Sequence, residues 1–253
     1  MDARAATGFA GAARAYDRGR PSWPPEAVAR IARELALPAG ATALDLAAGT
    51  GKLTALLPAI AGTVLAVEPA EPMLEILREQ LPGVDARLGR AEDIPFADEV
   101  ADVVLVAEAF HWFDVPAATR EIARVLRPGG GLAVLWHRGA WEERDPTLFD
   151  RYQAIVGPLR DAAGAFPSGA DVWTDGLADS GLFGPLQRFE VVHDQELDPD
   201  GFVALAASMS WIVNLPDGHR EAVLAEVRGL VDGREELVLR HRAEVHLTRK
   251  RLR

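Results

Sequence analysis

Apolar and polar positions follow two rhythms along this chain. Between residues 42 and 137, short and nearly continuous apolar runs are separated by segments whose apolar residues recur every three or four positions. The runs Thr42–Ala47, Thr63–Glu68, Val84–Leu88, Ala101–Ala107 and Gly131–His137 read as strands, most of them buried. The segments Gly51–Ile60, Pro72–Gln80 and Val115–Leu126 carry helical spacing. A further helix is expected from Glu26 to Leu35, ended by Pro38-Ala-Gly40, and Arg127-Pro-Gly-Gly130 reads as a turn. Alternating strands and helices mean crossover connections, hence a parallel sheet covered on both faces.

The rhythm changes after Trp141. Asp145–Arg160 and Ala170–Ser180 are helix candidates, and helical segments recur at Pro199–Ser208 and Pro216–Val231. Phe189, Val191 and His193 alternate with their neighbours, as do Ala243, Val245 and Leu247, the period of a half-buried strand. No repeat, low-complexity tract or linker divides the chain. The expectation is one domain over residues 1–253: an N-terminal arm or lid at 1–25, a core at 42–137, and a helical insertion with the last two strands at 138–253.

Composition narrows the function. The net charge is −11, and a broadly acidic surface repels phosphate backbones, which argues against a nucleic-acid partner. The local basic run of Arg240, Arg242, Arg249, Lys250, Arg251 and Arg253 reads as a solvated edge strand. There is no cysteine, which removes disulfides, thiolate metal sites and cysteine nucleophiles. No apolar stretch reaches membrane-spanning length, and residues 1–9 lack the pattern of a signal peptide. A cytoplasmic enzyme is expected. The six histidines suggest no metal site, since His241 and His246 should point to opposite faces of one strand.

The densest chemical signal is Leu44-Asp-Leu-Ala-Ala-Gly-Thr-Gly-Lys-Leu-Thr54, an apolar strand ending in small residues that lead into a helix. Gly49 and Gly51 let a ligand approach the backbone, and a helix N-terminus offers free N–H groups. Glu68, at the tip of the next strand, is placed to accept two ribose hydroxyls. A phosphate-gripping P-loop does not match, because Leu53 follows Gly51-Lys52 and Leu46 stands where the first glycine belongs. A dinucleotide fingerprint matches only in part, with Thr54 at its third small position and Asp45 of no use to a pyrophosphate. A glycine turn that merely packs strand on helix is the structural alternative.

The loop resembles motif I of the class I S-adenosylmethionine-dependent methyltransferases, with Ala47 where glycine is common. Val67-Glu-Pro-Ala-Glu-Pro-Met-Leu74, Gly89-Arg-Ala-Glu-Asp-Ile-Pro-Phe96, Val103–Asp114 and Val125-Leu-Arg-Pro-Gly-Gly130 resemble the later motifs, in order. The resemblance implies a Rossmann-like α/β fold with sheet order 3-2-1-4-5-7-6 and an antiparallel last strand. It implies S-adenosyl-L-methionine as cofactor, with Ala47, Gly49, Thr50 and Gly51 around its methionine part and Asp45 orienting the loop or meeting the amino group. Glu68 and Pro69 would hold the ribose, with Met73 packing beneath. Ala91 and Glu92 would meet adenine, beside Arg90 where the family often has Asp or Asn, and Ala107 would form the floor.

The acceptor end is less defined. Tyr16-Asp-Arg-Gly-Arg-Pro-Ser-Trp-Pro-Pro25 and His111-Trp-Phe-Asp114 resemble a branch that includes trans-aconitate-methylating enzymes, which raises a small carboxylic acid as one acceptor class. Other oxygen or nitrogen acceptors stay open. Tyr16, Arg20, His111 and Trp112 are expected to line the acceptor pocket, with His111 as base. Two other functions remain at this level: cofactor binding without methyl transfer, and NAD-dependent oxidoreduction.

Overall fold

The computed structural model describes residues 13–163 and 170–252; residues 1–12 of the expected arm and Arg253 of the basic run lie outside them. A seven-stranded sheet of order β3-β2-β1-β4-β5-β7-β6 forms the centre. Its strands are β1 (Thr42–Leu46), β2 (Thr63–Glu68), β3 (Asp85–Leu88), β4 (Ala101–Ala107), β5 (Leu126–Gly139), β6 (Gln187–Leu197) and β7 (Leu237–Arg249). β1 to β5 pair in parallel, and β7 runs antiparallel to both β5 and β6. The expected order and the expected antiparallel last strand are both observed.

Side chains alternate across the pleat, so each central strand feeds two cores. Leu44, Leu46, Val104, Val106, Leu132, Val134 and Trp136 join one layer. Ala43, Val103, Leu105, Ala133 and Leu135 join the other. Helices α4 (Val115–Val125) and α6 (Ala170–Asp179) cover the first face, with the Phe110 and Trp173 rings tilted against each other at 5.1 Å. Helices α2 (Pro25–Glu34) and α3 (Glu71–Gln80) cover the second. Helices α5 (Pro146–Ala162), α7 (Pro199–Ala207), α8 (Ser210–Val213) and α9 (Asp217–Gly229) build a third cluster against Leu197, Leu237 and Leu239. Asp114, Asp145 and Asp198 cap α4, α5 and α7, each accepting a backbone N–H of the first turn.

Three expectations need correction. Gly51–Ile60 is not an α-helix: a 3-10 helix spans Thr54–Ala59. Pro58 lies inside it and has no N–H to continue an α-helical ladder. Arg127-Pro-Gly-Gly130 does not separate two elements; it is an irregularity inside one long strand, where pairing jumps from Ala101↔Leu126 to Val103↔Gly131. The basic last strand is not an edge, because β7 is paired on both sides. Its charges are tied down: Arg240 bonds Asp194 at 2.9 Å, Lys250 donates to the Leu126 carbonyl at 2.7 Å, and Arg251 donates to that of Phe183 at 2.7 Å.

An arm helix, α1 (residues 13–19), crosses the carboxyl ends of the strands. Gln80 of α3 donates to Asp17, Arg18 bonds Asp198 at 3.0 Å, and Gln195 of β6 donates to the Gly19 carbonyl. The arm thus fastens to both walls of the crevice. A Cβ on Gly19 would come within 2.1 Å of the Leu205 backbone nitrogen in α7. Gly19→Ala is therefore expected to lose roughly 1–3 kcal/mol or to lift the arm. Thermal unfolding and the rate of tryptic cleavage at Arg18 check this; unchanged values in both would show that the arm does not dock through Gly19.

Candidate active site

The sheet reverses its winding between β1 and β4, so their carboxyl ends open a crevice where ligands bind in folds of this kind. Both tips turn through the left-handed region, Ala47 at φ 60° and Glu108 at φ 56°. That conformation disfavours a side chain. It explains why glycine is common at the Ala47 position better than residue size does. Gly49 and Gly51 also have positive φ, but for different neighbours. A Cβ on Gly49 would sit 3.8 Å from the Tyr16 ring, on the ligand side, whereas one on Gly51 would press on Leu77 and Leu81 of the α3 wall at 3.0 and 3.1 Å.

Two cavities meet at these tips. The smaller, of about 60 Å³, is bounded by Gly49, Glu68, Ala70, Met73 and Trp112. The larger, of about 370 Å³, runs from Asp45, Thr50 and Lys52 toward Trp23, Trp141, Tyr152 and His241. Tyr16, Ala47, Ala107 and Glu108 border both.

Glu68 accepts the N–H groups of Gly49 at 2.8 Å and Ala70 at 2.9 Å, which locks the β1 loop to the start of α3. Those bonds favour the carboxylate, but burial outweighs them and lifts its pKa to about 7. Asp45 is fully buried; Oδ2 accepts the Thr54 hydroxyl at 2.6 Å, and Oδ1 has no partner. Burial raises its pKa to about 7 as well. The Thr50 hydroxyl is also buried without a partner. An unpaired carboxylate oxygen and an unpaired hydroxyl, in two residues that line the larger cavity, suit a cationic, amino-bearing ligand.

The other expected cofactor residues divide. Met73 packs against Ala13 and Ala70 and also borders the smaller cavity. Pro69 follows Glu68 without lining either cavity. Ala91 is buried in the core layer and Glu92 accepts the Asp114 N–H at 3.0 Å; neither borders the smaller cavity.

The expected base, His111, is misplaced. It belongs to the 3-10 turn Phe110–Trp112, and its ring lies against Trp112 and Trp136, at 4.5 and 5.3 Å between centroids. Trp136 points to the α4–α6 face of the sheet, and His111 borders neither cavity. Burial lowers its pKa to about 4. Histidines do reach the large cavity, but from β5 and β7. His137 stacks on Trp23 at 3.8 Å, its Nε2 lies 3.1 Å from that of His193, and His241 lies 5.6 Å from each ring. The strand register accounts for this trio: His193 pairs directly with His241, and His137 lies on the same face two residues from Gly139, the other partner of His241. The sequence alone did not supply that register. His241 and His246 face opposite sides as expected, and among the described residues no group has metal-binding geometry.

Tyr16 and Arg20 do border the large cavity. Arg20 lies over the Tyr16 ring and donates to the Ser208 hydroxyl and carbonyl at 2.9 and 3.2 Å. Glu108, not singled out by sequence, accepts the backbone N–H of His137 and feels the Arg20 charge.

A doubly covered sheet with paired cavities at its switch point defines a Rossmann-like cofactor enzyme. Residues 44–134 match the methyltransferase domain family. An uncharacterized methyltransferase of Mycobacterium tuberculosis is 40% identical over 88% of this chain and 85% of its own. The chain therefore belongs to the class I S-adenosylmethionine-dependent methyltransferases. A malonyl-[acyl-carrier protein] O-methyltransferase of Methylococcus capsulatus is 45% identical over 38% of this chain and 37% of its own. A candidate type II methyltransferase structure from Anaeromyxobacter dehalogenans shares the fold, with TM-score 0.65 and 24% identity over 92% and 97% of the two chains.

Two tests follow from the loop. Ala47→Gly is expected to stabilise the protein by roughly 0.5–1 kcal/mol, the relief of left-handed strain less the entropy of glycine, read by urea denaturation; a loss of stability would reject the strain. The carboxyls of Asp45 and Glu68 have pKa values raised from 3.8 and 4.5, so their contribution to stability is full below those values and gone above about pH 7. A cationic ligand acts the other way and draws their protons off. Binding of S-adenosylmethionine should therefore release protons near pH 7 and tighten from pH 6 to 8, measured by calorimetry in two buffers.

Proposed function

We propose that this enzyme transfers the methyl group of S-adenosylmethionine to a small organic acceptor held in the larger cavity. The observation that carries this reading is the junction: two cavities, one bordered by the Glu68 carboxylate and one by the unpaired Asp45 oxygen, share the tips of β1 and β4. The bound cofactor supplies a methyl group on a positively charged sulfur. Glu68 would hold the ribose hydroxyls and Asp45 the amino group, with Gly49, Thr50 and Ala47 against the methionine part. Ala107 forms the floor at the junction, and Trp112 closes the smaller cavity.

On the acceptor side, Tyr16 and Arg20 keep the roles expected of them, and His111 gives up the role of base because of its place on the opposite face. The protein's part is alignment and exclusion of water, which the docked arm supports. An oxygen acceptor is supported by the partial likeness to the Methylococcus O-methyltransferase. A small carboxylic acid belongs to that class. Among the described residues no helix is long and apolar enough to cross a membrane, and a cytoplasmic setting is part of this reading.

Removing the Glu68 carboxylate deletes two charge-assisted bonds to ribose, each worth about 1.5–3 kcal/mol. Glu68→Ala is expected to weaken S-adenosylmethionine binding at least tenfold by calorimetry, on protein shown to be folded by circular dichroism. Equal affinity would move the cofactor site elsewhere. Wild-type protein in cell extract should convert the cofactor to S-adenosylhomocysteine; binding without conversion would make this chain a cofactor-binding protein only, and preferential binding of NAD would overturn the reading.

A further inference from the structure

The far end of the large cavity is built from rings. Trp23, Trp141, Phe149, Tyr152 and Trp211 line it, with Val156, Leu205 and Met209 between them. Two polar atoms there are buried and have no partner: Nε1 of Trp141 and the hydroxyl of Tyr152, in residues that are 8% and 3% exposed. Their rings lie 5.0 Å apart, tilted by 52°, and both residues line the cavity. Buried donors left unpaired are costly, and an indole N–H only donates. The pair calls for a ligand oxygen.

Two of the three Arg and Lys side chains on the same wall are hydrogen-bonded. Arg20 is bonded to Ser208, and Arg160 donates to Gln153 and Asp161. Lys52 is partly desolvated beside Asp17. Among the described residues, the cavity wall holds three such cations, Arg20, Lys52 and Arg160, against a much larger set of aromatic and aliphatic side chains.

At the near end, where the two cavities join, Asp45 and Glu68 are the carboxyls assigned above to the cofactor. Tyr16 is pushed up to about 12 by burial and keeps its proton. The His137 ring is committed to His193 and to the backbone of Ser22, and His241 to Gln195 at 3.1 Å. Glu108 remains. Its left-handed backbone turns it into the junction, the His137 N–H fixes its carboxylate, and burial raises its pKa against the pull of Arg20 and Arg138. A carboxylate of raised basicity at the point of transfer is placed to accept a proton.

We infer that the acceptor is a planar aromatic molecule with an ionisable ring hydroxyl, held through an oxygen by Trp141 and Tyr152, and that Glu108 takes the hydroxyl proton. The inference rests on the larger cavity being the acceptor site. The hydroxyl proton passes to the Glu108 carboxylate as the ring oxygen bonds the methyl carbon. The electron pair of the broken carbon–sulfur bond stays on sulfur, whose positive charge is lost.

The test uses the whole chain and begins with S-adenosylhomocysteine. If it does not bind wild-type protein, the cofactor reading fails and the acceptor assignment falls with it. Protein saturated with S-adenosylhomocysteine is then titrated at pH 8 with 4-nitrophenol and, separately, with propane-1,2,3-tricarboxylate. The expected result is binding of 4-nitrophenol at least tenfold tighter than the tricarboxylate, with quenching of tryptophan fluorescence. Two buffers of different ionisation enthalpy should show uptake of about one proton per 4-nitrophenolate bound. Trp141→Phe and Tyr152→Phe should each weaken 4-nitrophenol about fivefold, one hydrogen bond's worth, and leave S-adenosylhomocysteine within twofold. Glu108→Gln should abolish the proton uptake. With S-adenosylhomocysteine bound, tighter binding of the tricarboxylate, or unchanged affinity in both ring variants, overturns the aromatic acceptor. Absence of proton uptake in the wild type, or its persistence in Glu108→Gln, overturns the role of Glu108, and the wild-type measurement stands even if that variant fails to fold.

Discussion

The site depends on two strand tips that leave the sheet through left-handed backbone. At the end of β1, Ala47 turns the chain so that the loop can lay its N–H groups beside Glu68. At the end of β4, Glu108 makes the same kind of turn, and its side chain swings to the junction instead of continuing along the strand. Neither turn is intrinsically favoured for a residue with a Cβ. Each is held by bonds around it: Gly49 and Ala70 to the Glu68 carboxylate, and the Glu108 N–H to the Leu135 carbonyl at 2.9 Å. Local strain at a ligand site, retained by surrounding bonds, is what such geometry reflects.

Most of the sheet was legible because its strands are buried on both faces and therefore apolar throughout. β1, β2 and β4 lie within a residue of the runs read from sequence. Length was harder. β7 was visible only over Ala243–Thr248, yet it extends from Leu237 to Arg249, because its outer residues carry charges that ion pairs and carbonyl contacts accommodate within the sheet. The 3-10 helix after the glycine loop was missed because Leu53, Leu56 and Leu57 have helical spacing, and Pro58 overrides that spacing.

The cofactor side was legible for a different reason. The residues proposed for it lie in one short stretch, Asp45 to Gly51, and at Glu68 on the neighbouring strand, so spacing along the chain is nearly spacing in space. The acceptor side gathers residues from α1, β4, β5, α5, α7 and β7. Which histidine joins it depends on strand register and on which face of the pleat a residue occupies. His137 lies within β5, and the pleat puts it on the α2 side with Leu135; His111 follows β4 in a 3-10 turn that lays its ring against Trp136 on the other side.

The place of β7 between β5 and β6 also bears on how the molecule is made. During synthesis β6 leaves the ribosome with no neighbour to pair with, because the strand that joins it to the sheet is about forty residues further on. Until then β5 presents a bare edge, and the apolar faces of α5, α7 and α9 have no Leu237 or Leu239 to close on. The first five strands can assemble in order as they emerge. The wall of the larger cavity that carries His137 and His241 is complete only once β7 is paired between β5 and β6. The strands around the glycine loop thus precede in the chain the last strand that the larger cavity needs.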